Sequence, residues 1–332
     1  NGNISAEDIE KVHTFCNARS FDVSWYPGIT PGESNRYNRL RNDWFHDAAR
    51  ALPNDERERF LDEYKFNLQP ASDDRPYFFH YFKWRTLPEV LQLRERGGAS
   101  LADTGYLVLM ATLAQAVVAS VLLILLPIWL YQRRRGVKKT RVRRTSVLAY
   151  FFILGLAFLF IEIAFIQKLL LFLHHPLYAI AVVLSSFLVF SGFGSAWSGR
   201  AATDSDGSRL LVRAVTGITV LGTTYLLLLD PLLAQLATLP DALRILISVA
   251  LIAPLAFCMG MPFPLGLRRL ADNAPDLIPW AWSINGCASV ISAVLATLLA
   301  IHAGFAVVIA TALALYALTL WVLPAPDQQT AA

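Results

Sequence analysis

Charge is scarce in this chain. Only 16% of the 332 residues are Asp, Glu, Lys or Arg while 55% are hydrophobic, a balance that excludes an ordinary soluble globular protein. Cysteine is scarcer still. Cys16, Cys258 and Cys287 lie far apart, two of them in apolar runs, without a CxxC or Cys/His spacing; this excludes a disulfide framework and a zinc site, and no metal is expected. A glycine-rich turn between a strand and a helix, the usual approach to a nucleoside, is also lacking. "GFGSAW" at Gly192 sits inside an apolar run with no strand before it and reads as helix-packing glycine. Neither an initial Met nor a short charged-then-apolar leader opens the chain, so a piece of a longer protein is expected.

What the chain does have is long apolar runs. About 20 such residues cross roughly 30 Å of hydrocarbon as a helix. Seven runs qualify, at about 105–131, 146–173, 177–197, 210–229, 245–261, 281–300 and 305–323. The expected fold is therefore mainly α. A soluble stretch over 1–103 precedes a seven-helix transmembrane bundle over 104–323, and 324–332 is expected to be a disordered tail.

Between the first two runs, "QRRRGVKKTRVRR" contains Arg133, Arg134, Arg135, Lys138, Lys139, Arg141, Arg143 and Arg144, eight basic residues in 13. Short loops of this kind remain on the cytoplasmic side. Loop 132–145 is thus expected to face the cytoplasm from a protein integral to the cytoplasmic (inner) membrane. Alternation adds Arg200, Arg209, Arg213, Arg268 and Arg269 to that side, thirteen basic residues against Lys168 and Arg244 on the other. The run is a topology signal and not a nucleic-acid patch; the lipid bilayer is the expected partner. The same alternation puts residues 1–103 outside the cytoplasm, although long domains are tolerated on either side.

Within the soluble stretch, Ser5 with Asp8 three residues on predicts a capped helix, followed by a short strand that ends at Pro27-Gly28. Two further helices are expected over about 43–52 and 55–64. Helix followed by strand suggests the C-terminal remnant of an α/β, Rossmann-type domain.

Three stretches then carry a resemblance: "ASDDRPYFFHYF", "EIAFIQKLLLFLHHPLYAIAVVLSSFLVFSGFGSAWSGR" and "GMPFPLGLRRL" with "PWAWSINGCASVISAVLATLLA". Together they resemble the C-terminal part of the large membrane-embedded spermidine synthase-like proteins, in which a Rossmann-type domain is joined to multi-span membrane regions. The resemblance implies S-adenosylmethionine or its decarboxylated form as cofactor, bound upstream of Asn1, and aminopropyl or methyl transfer to an amine. It also implies the upstream part of the same protein and a polyamine as partners. No catalytic residue is assigned within this chain. A cation or polyamine transporter or membrane sensor, and a passive anchor, remain as alternatives.

Two readings of Asp73, Asp74, Arg75 and Tyr77 stand. They form the edge of an amine site, or Ser72 and Asp73 cap a turn while Arg75 pairs locally and the aromatics dock at the membrane surface.

The second run is the informative one, because it carries Glu162, Gln167 and Lys168. Lys168 lies near the far boundary, where its stem can snorkel to water without a partner. Glu162 lies roughly 22 Å along the helix, too deep for its short side chain to escape, so it must face protein or water. Six residues turn a helix through about 240°, so Glu162 and Lys168 do not stack as an i,i+4 pair. Candidate partners for Glu162 are Ser185, Ser186, Ser191, Thr216, Thr219, Ser283, Asn285 and Ser289. Asn285 also suits a hydrogen bond across a close helix contact, and Ser195 with Gly199 forms a small-xxx-small pair. His174 and His175 make a poor metal site and read as interfacial caps. The cluster Pro254, Gly260, Pro262, Pro264 and Gly266 predicts that the fifth helix stops there.

Overall fold

The computed structural model describes residues 5–30, 33–78, 80–88, 92, 104–135, 142–201 and 207–322. Lys138, Lys139, Arg141 and the expected tail at 324–332 lie outside the described residues. The chain divides into two units, one of Asn1–Pro70 with Phe79–Asp103 and one of Ala71–Phe78 with Thr104–Ala332.

In the first unit α1 (Ala6–Ala18) starts where the capping box predicts. Ser5 Oγ accepts from the Asp8 backbone N–H at 3.2 Å and Asp8 Oδ2 accepts from the Ser5 N–H at 3.3 Å. Helices α2 (Trp44–Ala51) and α3 (Arg57–Glu63) follow within the expected ranges. Lys83 closes α3: its ammonium donates to the carbonyls of Leu61, Asp62 and Tyr64 at 2.6, 3.2 and 3.0 Å, placing a cation at the helix C-terminus.

The expected strand does not form. Among the described residues there is no sheet, only an isolated bridge between Ser72 and Arg75. A strand needs a neighbour for its backbone groups, and among the described residues no second strand stands beside residues 21–26. The Asp22 carboxylate accepts the N–H groups of Arg36, Tyr37 and Asn38 at 2.5, 2.8 and 2.7 Å.

Among the described residues, the second unit contains seven helical segments long and apolar enough to cross a membrane. Helical form is what a water-free environment demands, since each backbone N–H and C=O must be satisfied within its own segment. The first is α4 (Thr104–Ser120) continued through a π-helical turn at Val121–Leu125 into α5 (Leu126–Arg135). Then come α6 (Arg144–Leu173), α7 (Pro176–Ala201), α8 (Gly207–Leu236), α9 (Asp241–Met259) with α10 (Pro262–Asn273), α11 (Ile278–Ala303) and α12 (Phe305–Val322). Of the basic residues, Arg133 is exposed, Arg134 and Arg135 end α5, and Arg143 and Arg144 start α6.

Two boundaries depart from expectation. α8 does not stop at Leu229 but runs through Asp230 and Pro231 to Leu236. The fifth helix breaks for only two residues, Gly260 and Met261, and resumes at Pro262. Proline at a first helical position needs no backbone donor, so the proline that ends one segment opens the next.

The most buried span is α6; α7 to α12 pack against it, and α4 packs on α11. Tyr150 donates to the Pro262 carbonyl at 2.8 Å, Asn285 to the Phe151 carbonyl at 3.0 Å, and Ser292 to the Leu156 carbonyl at 2.9 Å. Gly155 lets α11 approach: a Cβ there would stand 2.7 Å from the Asn285 carbonyl oxygen. α7 and α9 cross with Gly194 against the Phe257 carbonyl and Gly260 against that of Ser191. The expected contact at Gly199 is absent, for open space surrounds that residue, as it does Gly192.

Candidate functional site

Polar groups collect at the end of the bundle where α6 finishes. Lys168 is 7% exposed and donates to Asp230 Oδ2 at 2.7 Å, with Asp74 Oδ1 3.6 Å away. This corrects the expectation of a snorkelling lysine without a partner. The reason is tertiary: α8 continues past Asp230, and the segment Ala71–Phe78 delivers Asp74 to the same place.

That segment is a tight turn. Arg75 N–H donates to the Ser72 carbonyl at 2.9 Å and Ser72 N–H returns a bond to Arg75 at 3.2 Å, leaving Asp73 and Asp74 at the tip. Asp74 turns toward the bundle. Its carbonyl accepts from Phe305 N–H at 3.0 Å and its Oδ1 from Ala306 N–H at 2.8 Å, so it caps α12 from a remote part of the chain. The linker between α11 and α12 is Gly304 alone, at φ +90°, and a Cβ on it would strike the Asp74 carboxylate. Tyr77 lays its ring on Phe305, centroids 6.0 Å apart, and burial pushes its hydroxyl up to about 12. Asp73 and Arg75 are exposed and have no ion pair among the described residues. Of the four residues singled out in this stretch, Asp74 and Tyr77 are thus brought onto the bundle, while Asp73 and Arg75 stay exposed, Arg75 with its Cγ beside Gly304. Ser72 and not Asp73 supports the turn, its Oγ accepting from Arg75 N–H at 3.2 Å.

The same end is tied together elsewhere. Arg244 of α9 donates to the Phe172 carbonyl at 2.8 Å and to Asp241 at 2.5 Å, while its Nε is buried without a partner among the described residues. Tyr106 of α4 and His302 of α11 are hydrogen-bonded at 2.9 Å. His174 ends α6 in a left-handed conformation, φ +57°, and His175 packs edge-on against Tyr178.

Glu162 lies six residues before Lys168, about 9 Å deeper along α6. It is 9% exposed and has no hydrogen bond or ion pair among the described residues. None of its expected partners reaches it. Ser185, Ser191, Thr219, Ser283 and Ser289 donate to carbonyls of their own helices, and Asn285 donates to Phe151. Hydroxyls close to their own backbone find a carbonyl one turn back before they find another helix. Gln167 is half-buried beside Lys168.

Aromatic residues flank Glu162 along α6. Phe158 and Phe165, about one turn to either side of Glu162 on one helical face, both contact Phe187 of α7, with centroids 6.0 and 5.7 Å apart. Phe187 therefore stands level with Glu162. Phe165 also meets Tyr225 of α8 at 5.9 Å, and Tyr316 of α12 lies within electrostatic reach of the carboxyl group. Such a site can take up positive charge.

Asp230 escaped sequence reasoning because the proline after it reads as a helix end. The available signal was the need of Lys168 for a counter-ion at matching depth. Comparison of the chain with protein-family models, with curated proteins and with solved structures found no match.

Proposed function

We propose that this chain is the membrane half of a spermidine synthase-like protein, in which an upstream Rossmann-type region binds S-adenosylmethionine or its decarboxylated form. The observation that carries this reading is the approach of Asp74 to Lys168. It joins two of the stretches on which the resemblance rests, "ASDDRPYFFHYF" and "EIAFIQK". The third stretch meets the second through Gly260 against Ser191. Stretches far apart in sequence that pack together are parts of one structural unit, and the turn at Ser72–Arg75 belongs to the same unit as the bundle.

The chemistry is attack of an amine nitrogen lone pair on the carbon beside a sulfonium; the carbon–sulfur bond breaks, a thioether leaves, and the new ammonium loses its proton to water. Catalysis of this kind is chiefly positioning. The test is transfer of a labelled aminopropyl or methyl group to an amine by the natural gene product in lipid vesicles. Labelled amine is expected with one of the two donors; no transfer with either removes the proposal.

A second reading, a transporter or sensor of a cation or polyamine, is favoured by the unpartnered Glu162. Uptake of labelled cation or polyamine into vesicles, abolished by Glu162→Gln, would support it, whereas a plain anchor shows neither transfer nor uptake.

A further inference from the structure

We propose that Glu162 is a proton-binding site inside the bundle, taking a proton from water and returning it there while the helices around it remain packed. The inference stands apart from the transferase reading and needs no donor region.

A carboxylate buried among apolar groups without a hydrogen-bond donor is strongly disfavoured by desolvation, so some cation must accompany it. Three classes are available. A hard metal ion asks for six or more oxygen ligands, and no group of three His, Cys, Asp or Glu gathers among the described residues. An alkylammonium needs space for its carbon chain beside the carboxylate. Phe165, with Phe187 packed on it, and Tyr316 are each 1% exposed or less, so a carbon chain could enter only by parting these rings. A proton needs neither ligands nor room. Glu162 keeps 9% of its surface, so it lies at the edge of the packed interior and not at its centre.

The helices packed on α6 offer nothing that would fix the charge of Glu162. From α12 the titratable neighbour is Tyr316, which also senses Tyr150 of α6. From α8 there are Tyr225, whose hydroxyl is donated to the Leu251 carbonyl at 2.7 Å, Asp230, which Lys168 takes, and the exposed Arg209 and Arg213 near its start. α9 supplies Arg244 and Asp241, paired with each other, and Cys258. α11 supplies Cys287 and His302, the latter bonded to Tyr106. α7 carries only Tyr178 and Arg200 at its two ends, and α10 carries Arg268, Arg269 and Asp272 beyond the break.

The test is infrared difference spectroscopy on the whole protein in lipid, titrated between about pH 5 and about pH 9. A protonated-carboxyl C=O band that shifts in heavy water, grows as pH falls, reverses as pH rises and is missing from Glu162→Gln is the expected result. A band of constant intensity across the window means a permanently neutral structural acid, and no band means a fixed carboxylate; either overturns the proposal. If the Gln variant does not fold, an apolar carbodiimide assigns the band in the native protein, because it attacks protonated carboxyls shielded from water. Modification at Glu162, faster at acid pH, is expected; modification confined to other carboxyls overturns the assignment.

Discussion

Lys168 donates to Asp230 across 2.7 Å, linking the last turns of α6 to the far end of α8. The ammonium is buried while the Asp230 side chain is 60% exposed, so removing either partner is not equivalent. Asp230→Asn leaves Lys168 with Asp74 and is expected to cost about 1 kcal/mol, in the range of a half-exposed pair. Lys168→Met leaves two carboxylates facing each other without a cation, and about 2 to 3 kcal/mol is expected. Thermal unfolding of both variants in the same detergent measures the difference, and equal losses would contradict the geometry.

Asp74 and Asp73 are adjacent, yet only Asp74 touches the bundle. Asp74→Ala removes the cap of α12 together with a charge beside Lys168, an expected loss of about 2 kcal/mol. Asp73→Ala alters an exposed residue and is expected to change stability by less than about 0.5 kcal/mol. Melting temperatures of the two single variants make the comparison, each serving as control for the other.

Gly304→Ala is expected to be more damaging than a helix glycine replacement. At φ +90° a side chain is strained by about 1 to 2 kcal/mol, and here it would also displace the Asp74 carboxylate. Faster proteolysis within Ala71–Phe78, together with a lower melting temperature, is the expected signature. Gly199→Ala, at a site in open space, should change neither.

Three backbone donors around Asp22, that of Tyr37 foremost, hold its carboxyl below the ordinary range. A group whose folded-state pKa is depressed contributes stability above its unfolded value of about 3.9, and the contribution is lost as pH falls through the folded value. Protection of the Tyr37 and Asn38 amides against hydrogen exchange, corrected for intrinsic rates, should therefore be flat above about pH 4 and decline below it. In Asp22→Asn the protection should be lower at neutral pH and lack that acid transition.

The basic residues and the alternation of the candidate spans predict which side each loop faces. A single cysteine replacing exposed Arg133 is expected to react with a membrane-impermeant maleimide only from the cytoplasmic side. One replacing exposed Leu177 should react only from the other. The same side for both would mean that the spans do not alternate as described.

Composition and run length by themselves determined that the chain has seven apolar helices, because hydrocarbon accepts only segments that satisfy their own backbone and because about 20 residues are needed to cross it. Local chemistry likewise determined the Ser5 cap, a contact between residues three apart. They could not determine partners. The strand after Phe21 failed to form because pairing depends on a neighbour that no local pattern supplies. Lys168 read as a snorkelling side chain because its counter-ions, Asp74 and Asp230, come from a turn before the first span and from a helix that ignores its proline. The depth of Glu162 was legible at 1.5 Å per residue. That it has aromatic rings and no donor beside it was decided by how α7, α8 and α12 rotate against α6, which rests on packing between residues far apart in the chain.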